Sequence, residues 1–182
     1  MANEDITSAI SRSINRKSSD NDGRKVAFRL DDTESPGEVD HWISTGSTVL
    51  DLMISNQEEG GLPVGKIGVL YGESGSGKTL IANHVLANCQ QMGGVSIMID
   101  TEAAADFKFM ETIGLDPDGD FLYVQENRLE RIFDYIESVI EKVKEKDDED
   151  RPVTIVVDSI AGSVPENEYE GDYGKEGYNT DK

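Results

Sequence analysis

The sequence has few of the features that mark secreted or membrane proteins. It contains a single cysteine, Cys89, which lies among apolar neighbours, so an internal disulfide is impossible and a buried thiol in a reducing compartment is expected. No segment approaches the ~20 apolar residues of a membrane-spanning helix, and the N-terminus has no apolar core of signal-peptide length. We therefore predict a cytoplasmic protein with no membrane partner.

Basic residues are also scarce. The 17 Lys and Arg stand against 37 Asp and Glu, and the formal net charge of -20 argues against a strong polyanion-binding surface. Residues 1–30 are the exception, with six basic and four acidic side chains. This local excess fits either an arm that docks on an acidic neighbour or a solvated tail.

The chain of 182 residues is long enough for one domain with a core, plus tails. Residues 1–40 are polar and are predicted to form an arm and linker: a short helix, a strand at 25–30 and an acidic linker at 31–40. The helix carries one narrow apolar stripe, which needs a partner surface to be stable. The stripe consists of Ile6, Ile10 and Ile14.

From residue 41 onwards, predicted strands alternate with predicted helices. The strands are short apolar runs, as expected of strands buried on both faces of a parallel sheet. They are KIGVLYG (66–72), VSIMID (95–100), FLYVQ (121–125) and TIVVDS (154–159). Helices are predicted at 78–92 and 129–143. This order predicts an α/β fold with a mostly parallel sheet, whose ligands bind beyond the carboxyl ends of its strands.

A glycine-rich motif lies between the first of these strands and the first helix. Gly72, Gly77, Lys78 and Thr79 fill the pattern G-x-x-x-x-G-K-[ST], and a preceding strand with a following helix is the context that supports it. The glycines let backbone N–H groups curl around phosphates at a helix N-terminus. Lys78 would neutralise the outer phosphates and the Thr79 hydroxyl would bind Mg²⁺, so the motif predicts nucleotide binding.

Two acidic residues at strand ends are further candidates. Asp158 closes the fourth strand, where P-loop proteins keep an acid that holds Mg²⁺ through water, although an ordinary strand-end aspartate would look the same. Glu102 follows the second strand and could act as a general base on an attacking water. From chemistry alone this role is only suggested, because a strand-end glutamate is common in so acidic a chain.

Other candidate ligands are weaker. The stretch DPDGD (116–120) is interpreted as a turn, since its glycine and the residue at the final ligand position, Asn127, do not fit a calcium loop. His41 and His84 have no cysteine or histidine companion at metal-binding spacing. We therefore predict structural or solvent-facing roles for both histidines.

These residues make the chain similar to a RecA-type recombinase, most like the phage and bacterial branches. If a phage encodes the chain, the predicted cytoplasm is that of the host. The similarity runs from about Asp40 to Gly174, and its first block is uncommon outside this group. The ordered blocks are ISTGSTVLD (43–51), GGLPVGKIGVLYGESGSGKT (60–79), IDTEAAADFKFMETIGLD (99–116), TIVVDSIAGSVP (154–165) and EYEGDYG (168–174). The ordered set is more specific than a P-loop alone.

The resemblance implies a DNA-dependent P-loop ATPase with ATP and Mg²⁺ as cofactors. Glu102 matches the family's catalytic glutamate, which acts beside Lys78, and Asp106 matches the acid that contacts adenine. Phe109 falls where the family places an aromatic residue on the base. The implied phosphate-binding residues are Gly72, Glu73, Ser74, Gly75, Ser76, Gly77, Lys78 and Thr79, and the implied metal ligands are Thr79 and Asp158.

The resemblance also implies partners. The arm is similar to the segment that packs on a neighbouring protomer in a helical filament, and residues 170–182 correspond to the beginning of the first DNA-binding loop. Because the chain stops inside that loop, we expect a fragment whose residues 41–182 form a partial ATPase core with weak or no affinity for single-stranded DNA. A later strand of the family lies between the strand at 66–72 and the strand ending at Asp158, so the sheet is expected to have a gap or an exposed edge.

Two other functions remain open at this point. One is a different ATPase on the same core, such as a repair ATPase, a replicative helicase or a clock-type ATPase. The other is a non-catalytic module whose arm binds the filament of a full-length partner.

Overall fold

The computed structural model describes residues 5–18, 25–29, 39–146 and 151–169. The chain divides into two compact units, and the boundary follows Asp40. None of the described helices combines the length and the hydrophobicity that a membrane span requires. The predicted linker at 31–40 lies mostly outside the described residues, and the predicted loop at 170–182 does so entirely.

The N-terminal unit consists of helix α1 (Ile6–Ser18) and the segment 25–29. The Asn15 side chain joins them: its Oδ1 accepts from the N–H groups of Val26 (2.9 Å) and Ala27 (2.8 Å), and its Nδ2 donates to the Ala27 carbonyl (2.9 Å). The predicted helix is confirmed. The predicted strand at 25–30 is wrong over 25–29, because side chains of α1, rather than a second strand, satisfy this backbone.

The core of the second unit is a parallel sheet of three strands. They are β3 (Val95–Asp100), β4 (Phe121–Gln125) and β5 (Val153–Asp158), in the order β4-β3-β5. Asp100, the last residue of β3, lies opposite both Gln125 and Asp158, so the three carboxyl ends meet at one edge. These three strands and the α/β class confirm the predictions, because short β-branched runs suit strands covered on both faces.

Helices cover both faces of this sheet. On one face, α3 (Lys78–Gln91) and α4 (Phe107–Thr112) pack on Met98 through residues such as Leu86 and Met110. On the other face, α5 (Leu129–Glu145) packs its Ile132 on Ile97 and Ile99. Because successive side chains of a strand point to opposite faces, β3 contributes residues to two separate apolar clusters. Cys89 of α3 is buried, as predicted.

The predicted strand at 66–72, which we name the pre-loop segment, is wrong. It forms no strand within the described part of the chain, and three of its apolar side chains are exposed: Ile67 by 98%, Val69 by 78% and Tyr71 by 92%. Short apolar runs of this kind predict burial only when a neighbouring strand is present. Here the neighbour is lacking among the described residues, and β5 has an unpaired outer edge, as expected for an incomplete sheet.

A small antiparallel pair fixes the other side of α3. Strands β1 (Trp42–Ile43) and β2 (Leu62–Pro63) pair with each other, and Ile43 packs against Val85 and Cys89 of α3. The Asn88 side chain donates to the carbonyl of Ser44 at 2.9 Å. The β1–β2 pair thus holds the helix that opens with Lys78 and Thr79.

A buried aspartate explains the sequence block that follows β1. Asp51, in helix α2 (Thr48–Ser55), is 5% exposed and accepts from Ser44 Oγ (2.5 Å), Thr45 N (2.7 Å) and Thr45 Oγ1 (2.6 Å). Burial raises the pKa of Asp51, but these hydrogen bonds outweigh burial and the net pKa is lowered. Ser47 caps the helix by accepting from Leu50 N.

Gly46 completes this block because it approaches α3 closely. Its φ is +81°, and a Cβ placed there would lie 2.8 Å from Cγ of His84. Any other residue would therefore be strained and would push on α3. His84 has a structural role here, as predicted.

We predict that Asp51→Ala lowers the free energy of unfolding by about 2–4 kcal/mol, because three donors lose a buried acceptor. Chemical denaturation at neutral pH measures this difference. Asp134→Ala, at an exposed position on α5, is the control and should change stability little. Equal effects of the two substitutions would contradict the role assigned to Asp51.

Candidate functional site

The glycine-rich loop runs from Gly72 to the start of α3 at the carboxyl edge of the sheet. Gly75 (φ +75°) and Gly77 (φ +91°) adopt left-handed backbone conformations that favour glycine. The Lys78 ammonium donates to the carbonyls of Gly72 (3.0 Å) and Glu73 (2.8 Å) and so folds back over the loop. Residues 72–76 are exposed, which leaves the loop open to a ligand.

The first turn of α3 is joined to the end of β5. Thr79 Oγ1 donates to Asp158 Oδ2 at 2.7 Å, across 79 positions of sequence. The structure thus brings together the hydroxyl and the carboxylate that the sequence singled out. Both offer oxygen, the ligand atom that hard divalent cations prefer.

Asp100 organises the loop that follows β3. Its side chain is 2% exposed and accepts from the backbone N–H groups of Glu102, Ala104 and Ala105 at 2.9 Å each, and from the Tyr123 hydroxyl at 3.0 Å. Burial, followed by the Asp100 carboxylate, raises the pKa of Tyr123. Asp100 is therefore a structural acid that shapes the backbone around Glu102.

Glu102 is exposed and is held towards β5 by the turn after Asp158. Ser159 Oγ donates to Glu102 Oε1 at 3.2 Å. Thr101 locks the same turn, since its Oγ1 donates to the Ser159 carbonyl (2.8 Å) and accepts from Ser159 N (3.0 Å). A Cβ at Gly162 would lie 2.5 Å from Thr101 Oγ1. The ends of β3 and β5 thus position Glu102 jointly.

Asp106 and Phe109 lie in the first turn of α4. The Asp106 side chain accepts from Phe109 N at 3.1 Å and caps the helix, and the Phe109 ring is 41% exposed. In the part of the chain that the structure describes, no hydrogen bond joins either residue to the glycine-rich loop. The geometry gives Asp106 a structural role that the sequence did not predict.

Among the described residues, Glu126, directly after β4, forms the most enclosed ion pair of this edge. It is 8% exposed and pairs with Arg128 through two bonds, Nε to Oε1 (2.8 Å) and Nη2 to Oε2 (2.7 Å). Arg128 lowers the pKa of Glu126 to about 2, against the opposing effect of burial. The chain after β5 is hydrogen-bonded to the residues that follow Glu126. Val164 N donates to the Asn127 carbonyl at 2.7 Å, and Val164 O accepts from Leu129 N at 3.0 Å.

Sequence reasoning missed four residues of this edge. Their common signal is a polar residue within three positions of a predicted strand end. They are Thr101, Ser159, Glu126 and Arg128. Residues 116–120 include a turn, as predicted. The described residues contain no group of three or more His, Cys, Asp or Glu suited to a metal ion.

The fold and the site define a class of protein. It is an α/β protein whose parallel sheet carries a glycine-rich loop and acidic side chains at its carboxyl edge. The family follows from comparison with known proteins. The profile of the RecA N-terminal domain matches residues 8–181. The chain therefore belongs to the RecA family.

The curated relatives are longer than this chain. Protein RecA of Campylobacter hominis is 37% identical over 152 residues, which cover 84% of this chain and 40% of that protein. Protein RecA of Campylobacter jejuni subsp. doylei is 38% identical with the same coverage. Protein RecA of Aquifex pyrophilus is 38% identical over 133 residues, or 73% of this chain and 35% of that protein. The matched part thus spans 40% or less of each of these relatives.

We predict that Glu126→Gln lowers the free energy of unfolding by about 2 kcal/mol at neutral pH, because a charged, largely buried acceptor is lost. The folded pKa of about 2 lies below the ordinary 4.5, so the carboxylate stabilises the fold above pH 4.5 and this contribution is lost as the pH falls towards 2.

The measurement is the stability gap between wild type and Glu126→Gln along an acid series. The gap should shrink as the pH falls below 4.5. Glu141→Gln, at an exposed position on α5, serves as the control with no gap at either end. A gap that stays constant with pH would show that the charge of Glu126 has no stabilising role.

Proposed function

We propose that this chain is the nucleotide-binding part of an ATP-dependent DNA recombinase that acts in strand exchange and repair. The observation that carries the proposal is the contact between Thr79 and Asp158 beside the Lys78 loop. It places a cation, a hydroxyl and a carboxylate at one edge, within a chain of the RecA family. These three groups match the needs of a magnesium–triphosphate ligand.

The loop from Gly72 to Thr79 would hold the phosphates of ATP. Its backbone N–H groups and the α3 N-terminus favour an anion, and an ammonium group has three N–H donors, of which Lys78 uses two within the loop. Glu73, Ser74 and Ser76 fill the remaining loop positions. Thr79 and Asp158 would hold Mg²⁺, which neutralises phosphate charge when bound. Two protein oxygens suit Mg²⁺, because it keeps water and phosphate oxygens as its other ligands.

Glu102 is proposed as the general base for hydrolysis. It is exposed at the same edge, and Ser159 holds one carboxylate oxygen, which leaves the other able to accept a proton from water. Asp106 and Phe109 are proposed to contact the adenine. Because Asp106 already accepts from Phe109 N, only its remaining lone pairs would be available to the base.

An apolar stripe on the N-terminal unit supports the proposal that the chain associates with itself into a filament. Ile6 is 74% exposed, and Ile10 and Ile14 lie beyond it on the same side of α1. An apolar stripe on a short helix needs a partner surface, and in this proposal that surface belongs to another protomer. The same stripe also favours the second candidate function, a non-catalytic module that binds another recombinase filament. Single-stranded DNA would be a partner of the intact protein.

We expect Lys78→Ala to weaken Mg-ATP binding by at least about tenfold, because the phosphates lose a charge-assisted donor. Isothermal titration of the purified chain measures the affinity. Lys144→Ala, near the far end of α5, removes the same charge as a control and should bind as wild type does. Undiminished binding by Lys78→Ala, or none by wild type, would contradict the proposed site.

DNA dependence separates the recombinase from the other candidates. We expect the chain, extended by the part of the Campylobacter hominis relative that follows its match, to hydrolyse ATP faster with single-stranded DNA than without. Turnover that ignores DNA would contradict the recombinase and favour another ATPase. A form that binds a filament but never hydrolyses ATP would favour the non-catalytic module.

A further inference from the structure

Tyr123 of β4 contacts the residues at both ends of the loop that carries the proposed base. This loop, residues 101–106, joins β3 to α4, and we call it the post-β3 loop. Directly before the loop, Asp100 Oδ2 accepts from the Tyr123 hydroxyl at 3.0 Å. Directly after it, the Phe107 ring packs edge to face on the Tyr123 ring, with the two ring centroids 5.0 Å apart. One side chain from a neighbouring strand thus spans the whole loop.

The Asp100 carboxylate fixes the post-β3 loop at three backbone positions. Its Oδ1 accepts from Glu102 N, and its Oδ2 accepts from Ala104 N and Ala105 N, each at 2.9 Å. The Tyr123 hydroxyl is the only side-chain donor to this carboxylate among the described residues. Because Asp100 is 2% exposed, water replaces a lost donor poorly, and the remaining bonds must rearrange.

The post-β3 loop also contains a strained residue. Ala103 has a φ of +55°, in the left-handed region that residues with a Cβ rarely adopt. Such a conformation persists only where the surrounding contacts determine it. The residues on either side of Ala103 supply those contacts, because Glu102 N and Ala104 N both donate to Asp100. Loss of the Tyr123 hydroxyl should therefore loosen the loop.

The order of the strands separates two ends of the site. Strand β5, whose Asp158 is bonded to Thr79, pairs with one edge of β3, and β4, which carries Tyr123, pairs with the other. Within the described part of the chain, no hydrogen bond joins Tyr123 or Asp100 to residues 72–79. A change at Tyr123 should therefore leave the proposed phosphate ligands in place.

The proposed adenine contact lies at the other end. Asp106 is the last residue of the post-β3 loop and caps α4, and its neighbour Phe107 packs on Tyr123. The position of the Asp106 carboxylate therefore depends on the loop before it and on the start of the helix after it. Tyr123 contacts a residue at each of these two places.

We propose that Tyr123 is a positioning residue for nucleotide recognition. Through Asp100 and Phe107 it sets the position of Asp106, and with it the affinity for the adenine base. This inference rests on the proposed function and deepens it, because it makes the affinity for the base depend on a residue of β4 that acts without being one of the proposed ligands. Glu102 lies on the same loop, so the proposed base and the adenine contact share one support.

The test compares Mg-ATP with Mg-tripolyphosphate, which has the phosphates of ATP without the nucleoside. Isothermal titration of the full chain measures both affinities. Tyr123→Phe keeps the ring and removes the hydroxyl. We expect it to weaken ATP binding by about three- to tenfold and to change tripolyphosphate binding by less than about twofold. A substitution that only destabilised the fold would not separate the two ligands in this way.

Tyr135→Phe is the matched control. The Tyr135 hydroxyl also donates to a carboxylate, Glu126 Oε2 at 3.4 Å, but it lies on α5, outside the post-β3 loop. Its removal should change neither affinity. A second measurement needs no ligand: amide hydrogen exchange at Ala104 and Ala105 should be at least about threefold faster in Tyr123→Phe than in wild type, and unchanged in Tyr135→Phe.

The two measurements separate failure of this inference from failure of the proposed function. If wild type binds both ligands but Tyr123→Phe weakens both equally or neither, Tyr123 has no role in the affinity for the base. Amide exchange that ignores the substitution would show that Tyr123 does not hold the loop. Wild type that binds neither ligand would contradict the proposed nucleotide site itself, and the positioning role would be overturned with it.

Discussion

Strand β3 is hydrogen-bonded along both of its edges, and the remaining parts of the site depend on this double pairing. Because β4 and β5 run parallel to it in register, Asp100, Gln125 and Asp158 end at the same level. Connections of this kind place every following loop at one edge of the sheet. The sheet thereby collects groups that lie far apart in the chain, between residues 100 and 158.

The loops after β3 and β5 behave as one unit. Thr101 exchanges two hydrogen bonds with Ser159, and the bare Cα of Gly162 lets the turn lie against Thr101. The turn continues into Val164, which pairs with the chain beside Glu126 and Arg128. A displacement of residues 160–164 would therefore be transmitted to Glu102 through Ser159. In the proposed recombinase, this contact would connect the chain that leads to the expected DNA-binding loop with the proposed catalytic base.

Local signals predicted the parts of the fold that local contacts determine. Strands β3, β4 and β5 and helices α3 and α5 follow from apolar runs and helical spacing, because covering layers from this same chain bury them. Helices α2 and α4 are short and begin at side-chain caps, Ser47 and Asp106, which the predictions overlooked. The burial of Asp51 could not have been predicted from the sequence. The hydrogen bonds from Ser44 and Thr45 that stabilise it form only in the folded chain.

The pre-loop segment shows the limit of such reasoning most clearly. Its apolar pattern is typical of a strand inside a complete sheet. Its side chains are exposed because the described residues provide no neighbouring strand. The same distinction applies to the site: the glycines and Lys78 could be predicted because one loop contains them, but the Thr79–Asp158 contact depends on the sheet.

The strong negative charge also affects how identical chains can associate through their exposed apolar residues. The outer edge of β5, which pairs with no strand among the described residues, and the exposed Ile67, Val69 and Tyr71 would favour pairing between identical chains. With a formal net charge of -20, each copy repels the next over roughly 8 Å at physiological ionic strength, which is further than a strand spacing of about 4.8 Å. Repulsion therefore acts before edge hydrogen bonds can form between copies, whereas a partner of different charge meets no such barrier. The negative charge that argues against a polyanion-binding surface on this chain therefore also disfavours pairing of the outer edge of β5 with a second copy.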